Sequence, residues 1–532
     1  MTRLSRMLCL ILCLSLLFPV LVSCGGGGMS ESESPFESES ASSSESSSEE
    51  EKDKWEGVSF GGEEIIINVS VAENSQQTFG PADVYSRGPD SLVGADEVGK
   101  MIYDRNLSLE SDLGISVIWD ETDATVGQSQ AVIEQFVKTS PDNSPDLFIN
   151  DVYDTTHAML TDSLWNVYDT KDGAGMELVS YFDFSHETWF EEYMAGTTLS
   201  ADKRYVLVSD YFVDVIRYSY VMYVNREMFD EAMQGQFLTV HDLYRYVLAG
   251  EWDYTMLSDH IETVFRDTVN TGVTDPEDER KGLSASAFLP YALTWANGLS
   301  ILEWDGDPYA SNPYVIENHP DYVAFAAAYS ALYNTPGVLY NDYDAQRSLT
   351  LFLDGTYLYA INMMGEMESE TVRDSNVSKG VLPMPKFDLQ LQEEYHTPVH
   401  DQAEFASILN NARHFTAASA YLQKASEDSV AIMKEYYDKS LKLKYNEDKD
   451  TQEMLDLIHD RIVSPFELII SRLVFTGGQY LPGAPFTGTD MYLVVQTDAK
   501  EQKTQFSSHW AASYDGWCKN LDHLLGIFEN LE

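Results

Sequence analysis

Polar and aromatic side chains able to bind a solute follow a short apolar run in the first third of the chain. Residues 145–151 read PDLFIND, so Asn150 and Asp151 stand at the polar end of a predicted strand, and Tyr153 follows two residues later. Amide, carboxylate and phenol groups placed together bind polar ligands through hydrogen bonds and ring contacts. An alternative stays open: Asn150 and Asp151 only cap a helix beginning near Asp154, itself a good N-cap residue, and one position can serve both purposes.

The sequence gives no pattern for a metal or nucleotide cofactor. Neither the zinc-protease motif H-E-x-x-H nor the glycine-rich motifs G-x-G-x-x-G and G-x-x-x-x-G-K-[ST] occurs. The 11 histidines are scattered, and Pro398 between His396 and His400 argues against a shared helical face. An acidic loop at residues 267–282 lacks the residue order of an EF-hand, so a solvated loop is favoured over a calcium site. We therefore expect no cofactor and no metal.

The overall composition restricts the partners of the protein. Its formal net charge of −54 would repel nucleic acids and anionic membrane surfaces, so neither is an expected partner. A well-solvated surface is the favoured interpretation of this charge, and affinity for cationic ligands stays open. The 32 tyrosines and 9 tryptophans suit a cleft with apolar faces and polar edges.

The N-terminus has the order of a secretory signal. Arg3 and Arg6 precede an apolar run over residues 7–22, which is short for a bilayer span of about 20 residues. Leu21-Val22-Ser23-Cys24 resembles the lipobox of bacterial lipoproteins. That resemblance implies a signal peptide at residues 1–23, a lipid on the thiol of Cys24 and a location on the outer face of the cell membrane. A plain secreted protein and a single signal anchor are the alternatives.

A tether is expected between the lipid and the folded part of the chain. Residues 25–54 consist largely of Gly, Ser and Glu, a composition that cannot bury a core. We therefore predict a disordered tether over residues 24–59. Beyond Cys24 the sequence has a single cysteine, Cys518, so no intramolecular disulfide is expected.

The elements that must position the first candidate residues alternate between strands and helices. Apolar runs predict strands at 64–71, 115–119 and 145–151, and helical spacing predicts helices at 96–113 and 128–138. This order predicts a parallel α/β sheet, in which ligands gather at the carboxyl ends of the strands. Further along, strands are expected at 205–210, 220–226 and 357–362, and helices within 239–270 and at 288–296, 322–333 and 346–353.

Several later segments resemble the extracellular solute-binding proteins of ABC importers, the family that includes maltose-binding protein. The resemblance covers residues 60–470 and rests on the order and spacing of the following segments: Asp96–Gly114, Asn225–Phe229, Gly250–Tyr254, Phe352–Asn362, Gly380–Lys386 and Tyr436–Ile458. Asp253 departs from the Gly-x-Trp-Thr pattern of the family.

The resemblance implies a type II periplasmic-binding-protein fold with two α/β lobes, a ligand cleft between them and a hinge that closes on the ligand. Lobe 1 would comprise residues 60–215 and 380–425, and lobe 2 residues 216–379 and 426–532. The implied partners are a small solute, a membrane permease of the ABC class and the lipid anchor, and the protein would act as a monomer without catalysing a reaction.

The resemblance also implies further ligand contacts. Asp210 and Tyr211 lie near the expected hinge, and Trp295 and Glu366 lie in lobe 2. Met367 stands where sugar-binding members often carry tryptophan, which weakens the likeness to a maltose site, and a core position is the alternative for Trp295. The expected ligand is a sugar or oligosaccharide; a peptide or amine ligand and a glycoside hydrolase with paired carboxylates are the alternatives.

Overall fold

The fold is seen in a computed structural model. It describes residues 54–70, 87–89, 91–93, 95–122, 129–139, 144–171, 175–236, 238–286, 289–306, 312–341, 345–401, 403–444, 449–463, 466–478 and 481–531. The chain divides into two compact units, Met1–Glu56 and Gly57–Glu532, and the second unit contains all elements named below. The signal peptide, Cys24 and nearly all of the predicted tether therefore lie outside the described residues.

Strands and helices alternate through the first half of the second unit. In chain order they are β1 Glu63–Ser70, α1 Glu97–Leu113, β2 Ile115–Thr122, α2 Ser129–Thr139, β3 Leu147–Asp151, α3 Val152–Leu160, α4 Glu191–Ala195, α5 Asp214–Arg217, β4 Tyr220–Asn225, α6 Arg226–Met233, α7 Val240–Leu248, α8 Tyr254–Val264, β5 Lys281–Ser286, α9 Leu289–Trp295, β6 Leu302–Trp304 and β7 Pro313–Val315.

The second half is richer in helices. It contains α10 Pro320–Tyr333, β8 Val338–Asn341, α11 Ala345–Leu353, β9 Tyr357–Met363, α12 Glu370–Arg373, β10 Lys379–Leu382, β11 Thr397–Pro398, β12 Glu404–Ile408, α13 Phe415–Asp428, α14 Val430–Lys434, a π-helix Glu435–Lys444, α15 Lys449–His459, β13 Ile462–Val463, α16 Phe466–Thr476, α17 Met491–Glu501 and α18 Phe506–Asn530. Among the described residues, no helix combines the length and the apolar character needed to cross a bilayer.

The first sheet confirms the predicted parallel arrangement. Its order is β12-β3-β1-β2, and β1 pairs in parallel with both β2 and β3. Helix α1 connects β1 to β2: the side chain of Asp96 accepts the N–H of Gly99, and Gly114 ends the helix in the left-handed region at φ 58°. Strand β12 comes from much later in the chain and pairs antiparallel with β3, placing Glu404 opposite Asp151.

The second sheet has the order β10-β4-β9-β5-β8. Every residue of β4 and β9 is buried, as their continuous apolar runs predict. Strand β5 was not expected: its sequence KGLSAS lacks the β-branched and aromatic residues that usually mark a strand. It pairs in parallel with both β8 and β9. Its strand conformation therefore depends on pairing with these neighbours and not on its own residue types.

The predicted strand at residues 205–210 is wrong. This segment makes only isolated bridges, Leu207 with Ala406 and Ser209 with Trp189, although Tyr205 to Val208 are buried as a strand would be. Its backbone groups bond to two different neighbours, which prevents a continuous ladder. The helix expected near Asp154 begins earlier, at Val152, because Asp151 is its N-cap.

Two segments connect the sheets and define the region between them. One runs from residue 211 to the start of β4, and the other runs from the end of β10 to the start of β12. They meet where Ser219 bridges Val399 and where the N–H of His400 donates to the carbonyl of Tyr218 at 2.9 Å. The lobe boundaries at residues 215, 380 and 425 stay a prediction.

Candidate ligand-binding site

Strand β3 ends in two polar residues, Asn150 and Asp151, so their side chains lie at the carboxyl end of the strand, on the side of the first sheet that faces this junction. Both Asn150 and Asp151 are 1% exposed. An oxygen of Asp151 accepts the backbone N–H of Asp154 at 2.8 Å, so the capping interpretation holds for this residue. The Oδ1 atom of Asn150 accepts the N–H of Asp151 at 2.7 Å, whereas its Nδ2 has no hydrogen-bond partner among the described residues.

Further carboxyl groups lie next to Asp151. Glu404 is its cross-strand neighbour, and Asp401 precedes β12 by three residues. Burial, together with the charges of Asp154 and Asp401, raises the pKa of Asp151 well above its ordinary value. Because one carboxylate disfavours ionisation of another, this edge of the sheet favours either a shared proton or a nearby cation.

Asp401 is held by two basic groups. Its carboxylate lies 2.9 Å from Nδ1 of His400 and 3.1 Å from Nη1 of Arg472. Burial alone would raise the pKa of Asp401, but these two neighbours more than offset it, and the pKa lies below the ordinary value. Arg472 also faces Asp490 at 3.5 Å, so α16 and the residue before α17 are tied to the connecting segment.

Aromatic rings border the same carboxylates on the side of the second sheet. The ring of Tyr220 at the start of β4 lies 6.2 Å from Trp295 at the end of α9 and 5.5 Å from His400. Tyr291 and Tyr492 continue this group, with ring centres 5.3 and 6.3 Å from Trp295. We call these four rings, of Tyr220, Tyr291, Trp295 and Tyr492, the aromatic wall.

Two atoms of the aromatic wall are buried without a partner. Tyr220 is 1% exposed and Trp295 is 8% exposed, and neither the hydroxyl nor the indole N–H bonds to any described residue. Buried polar atoms in folded proteins are nearly always hydrogen-bonded, so such atoms point to a ligand or water as their partner. Nδ2 of Asn150, the residue before Asp151 on β3, is a third unsatisfied group.

The two predicted contacts near the hinge lie in different surroundings. The ring of Tyr211 packs under the guanidinium of Arg105 at 4.3 Å, and its hydroxyl lies 3.4 Å from that of Tyr421. Asp210 is half-buried, and burial followed by the charge of Glu187 raises its pKa to about 7. These contacts of Tyr211 belong to the core, and the ligand contacts of both residues stay predictions.

The remaining predicted contacts are placed as follows. Tyr153 lies in the first turn of α3, and its side chain lies outside the described part of the structure. Glu366 is buried in a short 3-10 helix at Met364–Glu368, where its charge helps to raise the pKa of Tyr223 after burial. Trp295 is buried among the rings of the aromatic wall, as its core alternative expects. Its ligand contact, like those of Asn150, Asp151, Tyr153 and Glu366, stays a prediction.

Sequence reasoning missed several groups of the site. Tyr220 is the first residue of the predicted strand at 220–226, and this position was the one sequence signal that could have identified it as a site residue. Asp401, Arg472, Asp490 and Tyr492 carry no local pattern, and the last three lie beyond residue 470, where the family resemblance ends. The packing of α17 against α9 brings Tyr492 to Trp295. The ion pairs of Arg472 on α16 bring Asp401 and Asp490 together.

A hydrolase pattern occurs far from this site. Residues 57–61 read GVSFG and match G-x-S-x-G, the sequence of the nucleophile elbow. In hydrolases this turn joins a strand to a helix, whereas Ser59 is exposed in the turn before β1 and accepts the N–H of Gly61 at 3.4 Å. The match therefore gives no support to an esterase-type site.

Comparisons with known proteins inform the fold. Neither a scan against protein-family models nor a search of curated proteins gives a match. Among solved structures, the galacto-N-biose/lacto-N-biose I-binding protein of the ABC transporter from Bifidobacterium longum is 12% identical, with 88% of this chain and 98% of that chain covered and a TM-score of 0.50.

Two other solved structures show weaker similarity. The GacH receptor of Streptomyces glaucescens is 11% identical, with 88% and 100% of the two chains covered and a TM-score of 0.48. The maltose-binding periplasmic protein from Listeria monocytogenes is 12% identical, with 88% and 97% covered and a TM-score of 0.44. The sheet topology and the match to the Bifidobacterium longum protein lead to one conclusion: this chain has the type II periplasmic-binding-protein fold.

Proposed function

We propose that this protein is a lipid-anchored extracellular solute-binding protein that captures a sugar or oligosaccharide and delivers it to the permease of an ABC importer by hinge closure. The fold supports the capture role, and the solved neighbour with this fold was crystallised with lacto-N-biose. The lipobox-like segment at residues 21–24 supports the anchor. The protein itself catalyses no reaction in this proposal.

One observation carries the proposal: the aromatic wall contains two unsatisfied buried polar atoms, of Tyr220 and Trp295, and Asn150 next to Asp151 carries a third. Sugars present apolar ring faces together with hydroxyl groups that both donate and accept hydrogen bonds. Aromatic rings pack against the former, and amide, phenol, indole and carboxylate groups satisfy the latter. The site contains both kinds of group at the junction of the two sheets.

A panel of sugars tests the ligand class. Mono- and disaccharides added to the purified protein should raise its melting temperature, since a ligand that binds the folded state stabilises it by RT ln(1 + [L]/Kd). Trp295→Ala should abolish the shift, whereas Trp517→Phe, in the packing of α16 and α18, should lower the melting temperature and keep the shift. Absence of a shift with every sugar would reject the sugar proposal.

Hydrolysis is tested with the same ligands. Any disaccharide that binds should be recovered intact after prolonged incubation with the protein, as measured by chromatography. Release of monosaccharide at a rate that follows protein concentration would identify a glycoside hydrolase instead.

The anchor is tested by cell fractionation. The full chain should sediment with membranes, and Cys24→Ala should release it from them or leave the signal uncleaved. Incorporation of labelled palmitate into the native chain, and none into the variant, distinguishes lipidation from a signal anchor. A Cys24→Ala chain that is processed and still bound to membranes would show that another feature attaches it.

A further inference from the structure

Carboxyl groups outnumber basic groups around the proposed site. Asp151, Asp401 and Glu404 belong to the first sheet and its connection, and Asp490 precedes α17. Arg472 is shared between Asp401 at 3.1 Å and Asp490 at 3.5 Å, so its charge is balanced on two sides. Buried charges in proteins are normally paired, and a carboxyl excess of this kind favours a cation among them.

The unsatisfied atoms provide an independent indication of the ligand's chemistry. The Nδ2 of Asn150 and the indole N–H of Trp295 can only donate hydrogen bonds, and both are buried without a partner. They require acceptor oxygens from the ligand. The hydroxyl of Tyr220, also buried and without a partner, can donate or accept. The ligand must therefore present acceptor oxygens near the rings and positive charge near the carboxylates.

Building on the proposed function, we infer that the captured solute is an amino sugar whose protonated amine lies against Asp151 and Asp401, with the sugar ring on Tyr220 and Trp295. An ammonium group supplies positive charge to the carboxylates, and the hydroxyls of the sugar ring supply acceptors to Asn150 and Trp295. The faces of Tyr220 and Trp295 also attract a cation, which adds to the preference. A neutral sugar satisfies the donors but leaves the carboxyl excess unchanged.

The pH dependence of binding follows from the groups around Asp151. Asp154, Asp401 and Glu404 face Asp151 directly. Asp401 in turn faces His400, Arg472, Tyr193 and Tyr220, and Arg472 faces Asp490 and Tyr291. Burial raises the pKa of Asp151, so its carboxyl is protonated below this raised pKa and ionised above it. A cation binds the ionised form, so affinity for the amine rises as the pH increases through this pKa and falls again where the amine itself loses its proton. Affinity for a neutral sugar lacks this rise.

The inference is tested with three disaccharides of similar size: chitobiose with two free amines, its N,N′-diacetyl form and cellobiose. Titration calorimetry over a series of pH values should show that, at the pH where it binds best, chitobiose binds about tenfold or more tightly than either neutral compound, the effect expected of one charge-assisted hydrogen bond. Equal or tighter binding of cellobiose or the diacetyl form overturns the amino-sugar inference and leaves the sugar proposal standing. Failure of all three, together with the wider sugar panel, overturns both.

Substitutions in the protein test which carboxyl groups cause the preference for chitobiose over cellobiose. Asp151→Asn keeps a good N-cap residue and should reduce the ratio of chitobiose to cellobiose affinity to near one while cellobiose still binds. Asp401→Asn tests the same point if Asp151→Asn does not fold. Asp169→Asn removes a partly buried carboxyl in the loop after α3 and should leave the ratio unchanged. An unchanged ratio in both Asp151→Asn and Asp401→Asn overturns the inference.

Discussion

Removal of the hydroxyl of Tyr220 tests ligand binding with less effect on folding than removal of the carboxylates around it. It is buried but bonds to no described residue, so folding gains nothing from it that substitution by phenylalanine would remove. The hydroxyl of Tyr223 is buried on the same strand and donates to the carbonyl of Met363 at 2.9 Å. The two tyrosines therefore form a matched pair in which one hydroxyl is satisfied by the protein and the other is not.

We expect Tyr220→Phe to weaken sugar binding about three- to tenfold, the value of one net hydrogen bond, and to leave the melting temperature of the free protein unchanged or slightly higher. Titration calorimetry and thermal unfolding measure the two quantities. Tyr223→Phe should show the reverse, with lower stability and nearly unchanged affinity. Full affinity in Tyr220→Phe would place its hydroxyl outside the site.

Asp210 gives a pH prediction of its own. Its pKa of about 7 in the folded protein lies above the ordinary value because of burial and the charge of Glu187. The folded state therefore holds a proton that the unfolded state has released between about pH 4 and pH 7, and stability falls as the pH rises through this interval. At pH values below the ordinary pKa of an aspartate carboxyl, the contribution of Asp210 to the stability of the folded state is fully present.

Asp210→Asn should remove most of this decline. Urea unfolding at pH 5 and pH 8 measures the loss of stability between the two pH values. Glu187→Gln should remove a smaller part of this loss, because the charge of Glu187 raises the pKa of Asp210 less than burial does. An Asp210→Asn protein with the same loss of stability between the two pH values would assign the decline to other carboxyl groups.

At the scale of single elements, helix α1 shows how one glycine fixes the connection between two strands. Gly114 ends α1 at φ 58°, and its N–H bonds to the carbonyl of Glu110 before β2 begins at the next residue. A Cβ at this position would lie 2.5 Å from Oγ of Ser59. Strain from the left-handed backbone and from this contact would both oppose folding.

Gly114→Ala should lower the free energy of unfolding by about 1 kcal/mol or more. Gly235→Ala is the matched control, because Gly235 has ordinary φ and nothing within 4 Å of its Cβ. That change should be neutral or stabilising by up to about 1 kcal/mol through the unfolded chain. Urea unfolding of both variants gives the comparison, and equal stabilities would mean that α1 ends without needing glycine.

Elements with strong local signals were predictable from the sequence, and elements defined by their neighbours were not. Helix α1 has a cap, a periodic apolar face and a terminating glycine, while β4 and β9 have continuous apolar runs. Strand β5 is small and polar, and residues 205–210 look like a strand but lack one continuous partner. The site follows the same rule: Asn150 and Asp151 end a recognisable strand, whereas the pairing of Asp401 with Arg472 joins segments that share no pattern.

At the scale of the whole molecule, charge opposes folding. The formal net charge is −54, so the excess carboxylates repel one another. The described ion pairs are mostly exposed and therefore weak. Added salt should screen this repulsion, so the melting temperature should rise between about 10 mM and 500 mM NaCl, where the screening length falls from about 30 Å to a few ångströms. KCl should act equally if screening is the cause, and a decrease with both salts would mean that attractive pairs dominate.

The antiparallel pairing of β12 with β3 has a consequence for the order in which the protein acquires its structure. Glu404 begins the strand that completes a sheet whose other strands end by Thr122 and Asp151, so a growing chain carries an unpaired edge of β3 through the synthesis of nearly half of its length. Closing so long a loop is slow, and open strand edges pair readily with other chains. The first sheet of such a chain is complete only after β12 has been synthesised, and this delay would suit the proposed export, in which the chain crosses a membrane before it folds.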